Sequence, residues 1–282
     1  MKKVIKPLGV IFLIILIALT GCKKSDSGTN SENPSTPTIP TGAINGLFTI
    51  NENGGQVYFS KGNLQYQAST DTWRFAEHQW DYIGMDNENI SPEYNGWIDL
   101  FGWGTGNNPT NSSTNDEDYD TFNDWGYNAI SNGGNTLNQW RTLMRDEWRY
   151  VFYTRSTPSG IRFAKAQVNG VNGVILLPDD WSSSHYGLNS TNTYNESYSN
   201  NTISASQWNT IEQHGAVFLP AAGGRYGTNV NYVGSLGFYW SATYSNSDCA
   251  YFVGFHDSTL HTDNLDHRKD GNCVRLVCPA EN

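Results

Sequence analysis

The sequence has few positive charges and few charged residues of any kind. Lysine and arginine contribute 17 of its 282 residues against 27 aspartates and glutamates, and charged residues make up 16% of the chain. Nucleic acids and anionic lipid headgroups attract basic surfaces, whereas an acidic surface is repelled by them. The composition therefore excludes nucleic acid as a partner and excludes membrane attachment by charge.

Long hydrophobic runs are also scarce, and only the N-terminus carries one. Residues 8–19 are almost unbroken apolar sequence and follow Lys2, Lys3 and Lys6. As a helix, twelve residues span about 18 Å, which is shorter than the roughly 30 Å of a bilayer core. A basic start and a short apolar run are typical of a signal peptide. We therefore predict export and removal of residues 1–21.

The apolar run ends in Leu19-Thr20-Gly21-Cys22, which resembles the bacterial lipobox. The resemblance implies cleavage before Cys22 and a diacylglyceryl thioether on its sulfur. Each buried methylene of an acyl chain contributes about 0.8 kcal/mol, so the lipid would be the sole and sufficient membrane attachment. In some bacteria an aspartate directly after the lipidated cysteine retains lipoproteins at the inner membrane, and this chain has Lys23 there instead. We therefore predict attachment to the outer membrane, on its periplasmic or its surface-exposed side. The alternative interpretation is a membrane-tethered N-terminus that is never cut.

Cleavage would leave an acidic mature chain with a flexible start. Without its first three lysines the chain keeps 14 basic residues against 27 acidic ones, a net charge near −13. Residues 23–41 are rich in Ser, Thr, Asn and Pro and lack apolar periodicity, as a disordered tether does. We predict a lipidated tether over residues 22–43 and a single folded domain over residues 44–282.

Strand signals outnumber helix signals in the predicted domain. Apolar runs on either side of Asn53-Gly54 and of Asn169-Gly170 predict two β-hairpins. Residues 86–135 are mostly Gly, Asn, Ser, Thr and Asp with scattered Trp, which indicates long ordered loops.

Two segments have helical patterns. Apolar spacing predicts a helix over residues 137–154. Ser204 and Gln207, in capping-box spacing, and Gly215 predict a helix over residues 204–214. Two main helices among many short strands predict an α+β domain with a mostly antiparallel sheet.

Four segments of the C-terminal third share a pattern with a known family. They are FLPAAG at residues 218–223, GFYWSAT at 237–243, AYFV at 250–253 and GNCVRLV at 271–277. The pattern resembles the Fibrobacter major-paralogous-domain (FISUMP) family, which repeats G-Y-W-S-S, A-Y-Y and G-x-S-V-R-x-V. Residues 140–148 are similar to its W-R-L-P-x-x-x-E-W helix.

The resemblance spans roughly residues 137–278, and residues 44–136 look like the N-terminal part of the longer lipoproteins of that family. It implies a C-type-lectin-like fold, related in architecture to formylglycine-generating enzymes. It implies no activity, because a fold alone does not give function. The Glu-Pro-Asn, Gln-Pro-Asp and Trp-Asn-Asp motifs of calcium-dependent lectins are missing from the sequence, so calcium-mediated sugar binding at that position is not expected.

The densest acidic run is a candidate calcium site. Asp116, Asp118 and Asp120 have the spacing of the first three EF-hand ligands, but Thr121 replaces the required glycine and Tyr127 the required glutamate. An EF-hand is therefore excluded. A looser Ca²⁺ site here, against a solvated acidic loop, is the one cofactor that the sequence leaves open.

A histidine-rich segment near the C-terminus is a candidate metal site. His256, His261 and His267 alternate with Asp257, Asp263 and Asp266, and their gaps match no metal motif. We expect polar loop residues and assign no metal, although pairing of the segment as a hairpin would bring the side chains closer together.

Three cysteines are left in the domain, and export favours their oxidation. Within one strand Cys273 and Cys278 would lie about 16 Å apart, beyond disulfide reach. The family usually has small polar residues at positions 249 and 273, and the joint departure here implies a Cys249–Cys273 disulfide. Antiparallel neighbouring strands would instead pair Cys249 with Cys278.

Cys273 and Cys278 also have the five-residue spacing of the active-site pair in formylglycine-generating enzymes. They flank the predicted final strand, whereas the enzymes' pair precedes theirs. The odd offset points the two thiols to opposite faces of a sheet. We assign no catalytic residue.

Exposed aromatic and polar residues between positions 221 and 248 form the candidate ligand-binding site, since such rings stack on sugars. The candidates are Arg225, Tyr226, Tyr232, Tyr244 and Asn246. Trp148 and Trp240 are expected in the core. The sequence thus predicts a membrane-anchored, extracytoplasmic module that recognises a glycan or a protein. The alternatives are an enzyme acting on an extracellular substrate and a subunit of a surface assembly.

Overall fold

The structure is a computed structural model and describes residues 38–280. This part of the chain is α+β and built mainly of short strands, as predicted. Its sixteen strands are β1 (Ala43–Thr49), β2 (Gln56–Ser60), β3 (Leu64–Gln67), β4 (Thr72–Phe75), β5 (Trp97–Ile98), β6 (Arg141–Thr142), β7 (Phe163–Val168), β8 (Val171–Leu176), β9 (Thr202–Ile203), β10 (Val217–Pro220), β11 (Gly224–Tyr226), β12 (Asn229–Asn231), β13 (Gly237–Tyr244), β14 (Cys249–His256), β15 (Thr259–His267) and β16 (Leu276–Pro279). Its α-helices are α1 (Arg145–Arg149), which continues as a π-helix over Tyr150–Thr154, and α2 (Ala205–Gln213).

The strands form small sheets that are almost entirely antiparallel, which confirms the predicted sheet type. The orders among the described residues are β1-β2-β16-β6, β10-β8-β7-β9, β11-β12, β13-β14-β15 and β4-β3-β5. The pairing of β7 with β9 is parallel. Both predicted hairpins are present, β1 with β2 and β7 with β8. In the second, Asn169 and Gly170 have φ angles of 50° and 81°, as an Asn-Gly hairpin turn requires.

Aromatic side chains fill the interior between these sheets. Trp148 packs against Phe59 at 5.7 Å between ring centroids, and Trp240 packs against Phe252 at 6.4 Å. Both tryptophans are fully buried core residues, as predicted. Residues 86–135 add β5 and short 3-10 turns to otherwise irregular but ordered backbone, also as predicted.

The first helix begins eight residues later than predicted. Asn138 has a φ of 58°, which interrupts helical backbone, and Leu137 is 64% exposed. The Glu147 carboxylate accepts the N–H of Met144 at 2.8 Å and caps a helix that starts at Arg145. The apolar spacing over 137–144 therefore belongs to loop and strand residues, and of its apolar side chains only Trp140 and Leu143 are buried.

The second helix agrees with its prediction because its caps are local. Ser204 Oγ accepts the N–H of Gln207, and Gln207 Oε1 accepts the N–H of Ser204 at 2.9 Å. Gly215, with a φ of 84°, follows the last turn. These contacts involve residues within four positions of each helix end, so sequence alone specifies them.

The fold begins slightly before residue 44. The carbonyl of Gly42 accepts the N–H of Lys61 at 2.8 Å, and a Cβ at Gly42 would lie 2.6 Å from the Cα of Gly133. Contacts with the folded domain thus reach Gly42, two residues before the predicted domain start.

The predicted signal peptide, residues 1–21, and Cys22 lie outside the described residues. Within residues 38–280, no helix combines the length and the apolar character needed to cross a membrane.

A buried ion pair joins three parts of the fold. The guanidinium of Arg155 donates to Asp179 Oδ1 at 3.0 Å and to the carbonyls of Val151 and Arg162. The other carboxylate oxygen of Asp179 accepts the N–H of Thr49 at 2.8 Å. Burial lowers the pKa of Arg155 to about 10, and Asp179 is the charge that opposes this effect.

Replacing Asp179 by alanine is expected to lower the free energy of unfolding by about 3–5 kcal/mol, because Arg155 would stay buried without its ionic partner. Chemical denaturation measures the change. Asp180→Ala removes the exposed neighbouring carboxylate and should change stability by no more than about 0.5 kcal/mol. Equal losses in the two variants would contradict a role for the buried pair.

Candidate functional site

Two of the predicted ligand-binding residues, Tyr244 and Asn246, line one cavity, which we call the central cavity. It has a volume of about 320 Å³. Its other lining residues are Trp103, Asp120, Phe122, Ser247 and Arg268. Aromatic faces, a carboxylate, an amide and a guanidinium thus surround a space at the lower end of the range for small-ligand sites.

The end of β13 presents Tyr244 to solvent. The register of β13 and β14 shifts between Trp240 and Tyr244, and the Tyr244 ring is 65% exposed. In the following turn, Asn246 Oδ1 accepts the N–H groups of Asp248 and Cys249, each at 2.9 Å. The Asn246 oxygen therefore holds the turn, and its NH₂ group makes no hydrogen bond within residues 38–280.

Trp103 forms the floor of the central cavity. Its ring N–H donates to the carbonyl of Ser241 at 3.0 Å, and its ring lies 4.8 Å from that of Phe122. Gly104 allows this packing, because its φ is 70° and a Cβ there would lie 2.7 Å from the Cα of Phe122. The Gly-rich segment after Phe101 thus allows two loops to approach each other.

Arg268 closes one side of the cavity. Its Nη2 donates to the carbonyls of Asp116 and Ser247, and its Cζ lies 5.9 Å from the centre of the Trp103 ring. Its Nε is buried without a partner, and within residues 38–280 its Nη1 makes no hydrogen bond. The side chain is held in place while part of its donor capacity is unused.

Two further cavities adjoin the central cavity. One, which we call the amide cavity, measures about 210 Å³, shares Trp103 and Asp120 with it, and adds Asn107 and Asn108. The other measures about 400 Å³, shares Phe122 and is lined by Tyr127 among others; we call it the Tyr127 cavity. The remaining lining residues of the Tyr127 cavity include Asn138, Gln139, Trp140, Met144 and Pro279.

The structure corrects the predicted role of Arg225. This residue is fully buried, and its guanidinium donates to the carbonyls of Leu100, Asn111 and Gly227. Burial lowers its pKa, and the side chain has no route to a ligand. Arg225 therefore stabilises loops.

Tyr226 and Tyr232 lie apart from Tyr244. They are on the β11–β12 hairpin and the residues that follow it, with ring centroids 6.5 Å apart. Tyr232 is 54% exposed, but neither ring lines the central cavity.

The sequence analysis did not identify Trp103, Phe122 and Arg268 as site residues. Among these three, only Trp103 lies in a segment, the Gly-rich loop, whose composition could have pointed to the site.

The histidine-rich segment is a strand, which corrects its prediction as a loop. Residues 259–267 form β15 and pair with β14, which carries His256. His261 lines a separate cavity of about 410 Å³ with Tyr153 and Tyr194. No group of three or more His, Cys, Asp or Glu side chains among residues 38–280 is arranged to hold a metal ion.

The acidic run is tied into the fold by ion pairs and hydrogen bonds. Asp116 accepts from Lys269 Nζ at 3.1 Å and from His267 Nδ1 at 3.0 Å. Burial alone would raise the pKa of Asp116, but the hydrogen bonds from Lys269 and His267 outweigh it and lower that pKa. Asp124 is buried and accepts from Thr142. These carboxylates position the loop that lines the central and amide cavities.

The predicted Cys249–Cys273 disulfide is not formed, and Cys249, Cys273 and Cys278 are free thiols. Cys273 lies beside β13 at Tyr239, which pairs with Val253 on the next strand. Val253 is four residues from Cys249, so the two cysteines are two strand spacings and about 13 Å of strand apart. That separation exceeds the reach of a disulfide. The alternative Cys249–Cys278 pair is likewise not formed.

Comparison with known proteins gives one match. Residues 148–277 match the model of a family described as a domain of unknown function (DUF8237). No curated protein and no solved structure matches the chain. The matched region covers just under half of the chain. It includes the last two residues of α1, the whole of α2 and the strands from β7 to β15, whereas Trp103 and Phe122 lie before it.

Beside the central cavity, two carboxyl groups lie close together on the turn that carries Arg268. Burial raises the pKa of Asp270, and the neighbouring Asp266 raises it further, to about 7. Burial also raises the pKa of Asp266, against a hydrogen bond from Asn272 at 3.0 Å. Burial and the neighbouring carboxyl group therefore both favour the protonated form of Asp270.

From the raised pKa of Asp270 we predict that the free energy of unfolding falls as pH rises. Between about pH 4 and pH 7 the folded state binds more protons than the unfolded state, because the folded pKa of Asp270 exceeds its ordinary value of 3.8. Asp270→Asn should weaken this dependence and stabilise the protein at pH 8, as measured by thermal unfolding from pH 5 to 8. A smaller slope should remain from the buried Asp99, whose pKa burial raises to about 6. The exposed control Asp263→Asn should keep the full slope, and equal slopes in both variants would contradict the assignment.

Proposed function

We propose that this protein is a membrane-anchored, extracytoplasmic recognition module that binds glycans through the central cavity. The observation that carries the proposal is the convergence of Tyr244, Trp103 and Phe122 with Arg268 and Asp120 around about 320 Å³. Sugar rings pack their C–H faces on aromatic rings, and their hydroxyls need both donors and acceptors. This set of side chains supplies all three kinds of contact.

The resemblance of the C-terminal third to the FISUMP family supports the proposal, since a C-type-lectin-like fold binds its ligands through loops. The proposed contact is one without calcium, because no group of three or more possible metal-ligating side chains is found among residues 38–280. A glycan is favoured over a protein partner because the central cavity is concave and small, whereas stable protein interfaces are broad.

The cysteine chemistry of formylglycine-generating enzymes is not supported as an alternative. Cys273 is fully buried, and burial raises the pKa of its thiol well above the usual value. Burial also raises the pKa of Cys278 to about 12. Catalytic cysteines react as thiolates and have lowered pKa values in accessible sites. We therefore propose no role in catalysis for these thiols.

The proposed site predicts that Tyr244→Ala weakens glycan binding about tenfold. Stacking of a sugar would bury roughly 60 Å² of ring, worth about 1.5 kcal/mol at 25 cal/mol per Å², which is a factor of about ten in affinity. The measurement is a glycan array followed by calorimetry on the glycans that bind. Tyr232→Ala removes a tyrosine of similar exposure outside the cavity and should bind normally. Binding of no glycan by the parent protein, or equal losses in both variants, would count against the proposal.

The proposed anchor predicts that Cys22→Ser releases the protein from the membrane. The natural protein should fractionate with membranes and carry acyl chains by mass spectrometry, because acyl chains provide the attachment that an acidic surface cannot. The serine variant should carry no acyl chain and should appear in the soluble fraction. Membrane association without a lipid on Cys22 would contradict the proposed anchor.

A further inference from the structure

We infer that the ligand is an internal stretch of a neutral glycan chain, bound across the amide, central and Tyr127 cavities, and not a single terminal sugar. The inference rests on the proposed function, because it specifies the ligand of the same site. It depends on how the three cavities adjoin and on what lines each of them.

Shared residues connect the three cavities in a fixed order. Trp103 and Asp120 line both the amide cavity and the central cavity. Phe122 lines both the central cavity and the Tyr127 cavity. Since Trp103 and Phe122 pack against each other at 4.8 Å, one aromatic pair forms the boundary between neighbouring cavities. The three cavities therefore lie side by side with Trp103 and Phe122 as shared walls, a row that we call the groove. A terminal sugar in the central cavity would leave both neighbouring spaces unfilled.

Two of the three cavities, the central cavity and the Tyr127 cavity, are lined by exposed apolar side chains. Tyr244 is 65% exposed at the central cavity, and Tyr127 is 58% exposed at the Tyr127 cavity. Met144, 45% exposed, lies on the latter cavity as well. Large apolar side chains exposed along a groove are typical of a binding surface. Each of these two cavities therefore offers an exposed apolar side chain to one ring of a chain.

Polar side chains in the end cavities have unused hydrogen-bonding capacity. Asn107 and Asn108 in the amide cavity, and Asn138 in the Tyr127 cavity, make no side-chain hydrogen bond within residues 38–280, although the neighbouring Asn111 and Asn123 do. Amides offer both donors and acceptors, which is what sugar hydroxyls require.

The charge near the groove favours a neutral chain. Asp118 and Asp120 line the amide cavity, and Asp120 also faces the central cavity, where Arg268 is the opposing charge. A mature chain with a net charge near −13 repels acidic polysaccharides over a distance of about a Debye length. Neutral hydroxyls can accept from Arg268 and donate to Asp120 without this repulsion.

The test is a length series measured by calorimetry on the full mature chain. The probes are linear neutral gluco-, manno- and xylo-oligosaccharides of one to six units, with oligogalacturonides as charged chains. For the neutral series that binds, affinity should rise at least tenfold from one unit to three or four and then change by less than about twofold. Oligogalacturonides of equal length should bind at least tenfold more weakly.

Variants at the two ends of the groove separate a chain from a terminal sugar. Asn108→Ala and Tyr127→Ala should each weaken binding of the six-unit probe about fivefold and leave binding of the one-unit probe unchanged. Tyr244→Ala should weaken both. Tyr194→Ala, which removes a half-exposed tyrosine from a separate cavity, is the matched control and should change neither. Equal thermal unfolding of all four variants verifies that they are folded.

Three results would overturn the inference in distinguishable ways. If one unit binds as tightly as six and the end variants have no effect, the site takes a terminal sugar, and the proposed glycan function stands without the chain. If the charged chains bind best, the inference of a neutral ligand fails and the glycan function stands. If no probe binds, both the chain and the glycan function fail.

Discussion

In a chain rich in loops, many backbone groups have no hydrogen-bond partner within a helix or a sheet. Buried arginine side chains provide partners for such groups in this protein. Arg155, Arg225, Arg268 and Arg275 are each at least 94% buried, and each donates to backbone carbonyls. A guanidinium has five N–H donors in a planar fork, so one side chain can satisfy carbonyls from several segments. Burying the charge has a cost, which is why the pKa values of Arg155 and Arg275 fall to about 10.

Arg225 illustrates how tightly this arrangement constrains the sequence. Its backbone pairs with Gly271 at 2.8 and 2.7 Å, and a Cβ at Gly271 would lie 2.8 Å from its Nε. Only glycine leaves room for the guanidinium to reach Leu100 and Asn111. The loops that line the candidate site are therefore fixed from beneath, and a groove on fixed loops loses less entropy when it binds a ligand than a groove on mobile ones.

The family-like motifs have structural roles that the fold makes clear. Tyr239 donates to the carbonyl of Pro220 at 2.8 Å and accepts from Asn63, and Arg275 donates to the carbonyl of Phe218. Tyr239 in the G-F-Y-W-S segment and Arg275 in the V-R-L-V segment therefore connect strands that are distant in sequence. The proposed ligand contacts at Trp103 and Phe122 lie outside those motifs, so a resemblance over the C-terminal third reveals little about the ligand.

Sequence alone determined the features that depend on neighbours within a few residues, namely the caps of α2 and the Asn169-Gly170 hairpin, and it also indicated the α+β class. Tertiary structure decided the rest. The apolar spacing before Trp140 indicated a helix, yet Asn138 and the cap at Glu147 moved its start to Arg145. Arg225 looked like a ligand contact and Cys249 like a disulfide partner, because burial and strand order are not visible in composition. The central cavity joins residues 103, 122, 244 and 268, and only packing of separate loops brings such distant positions together.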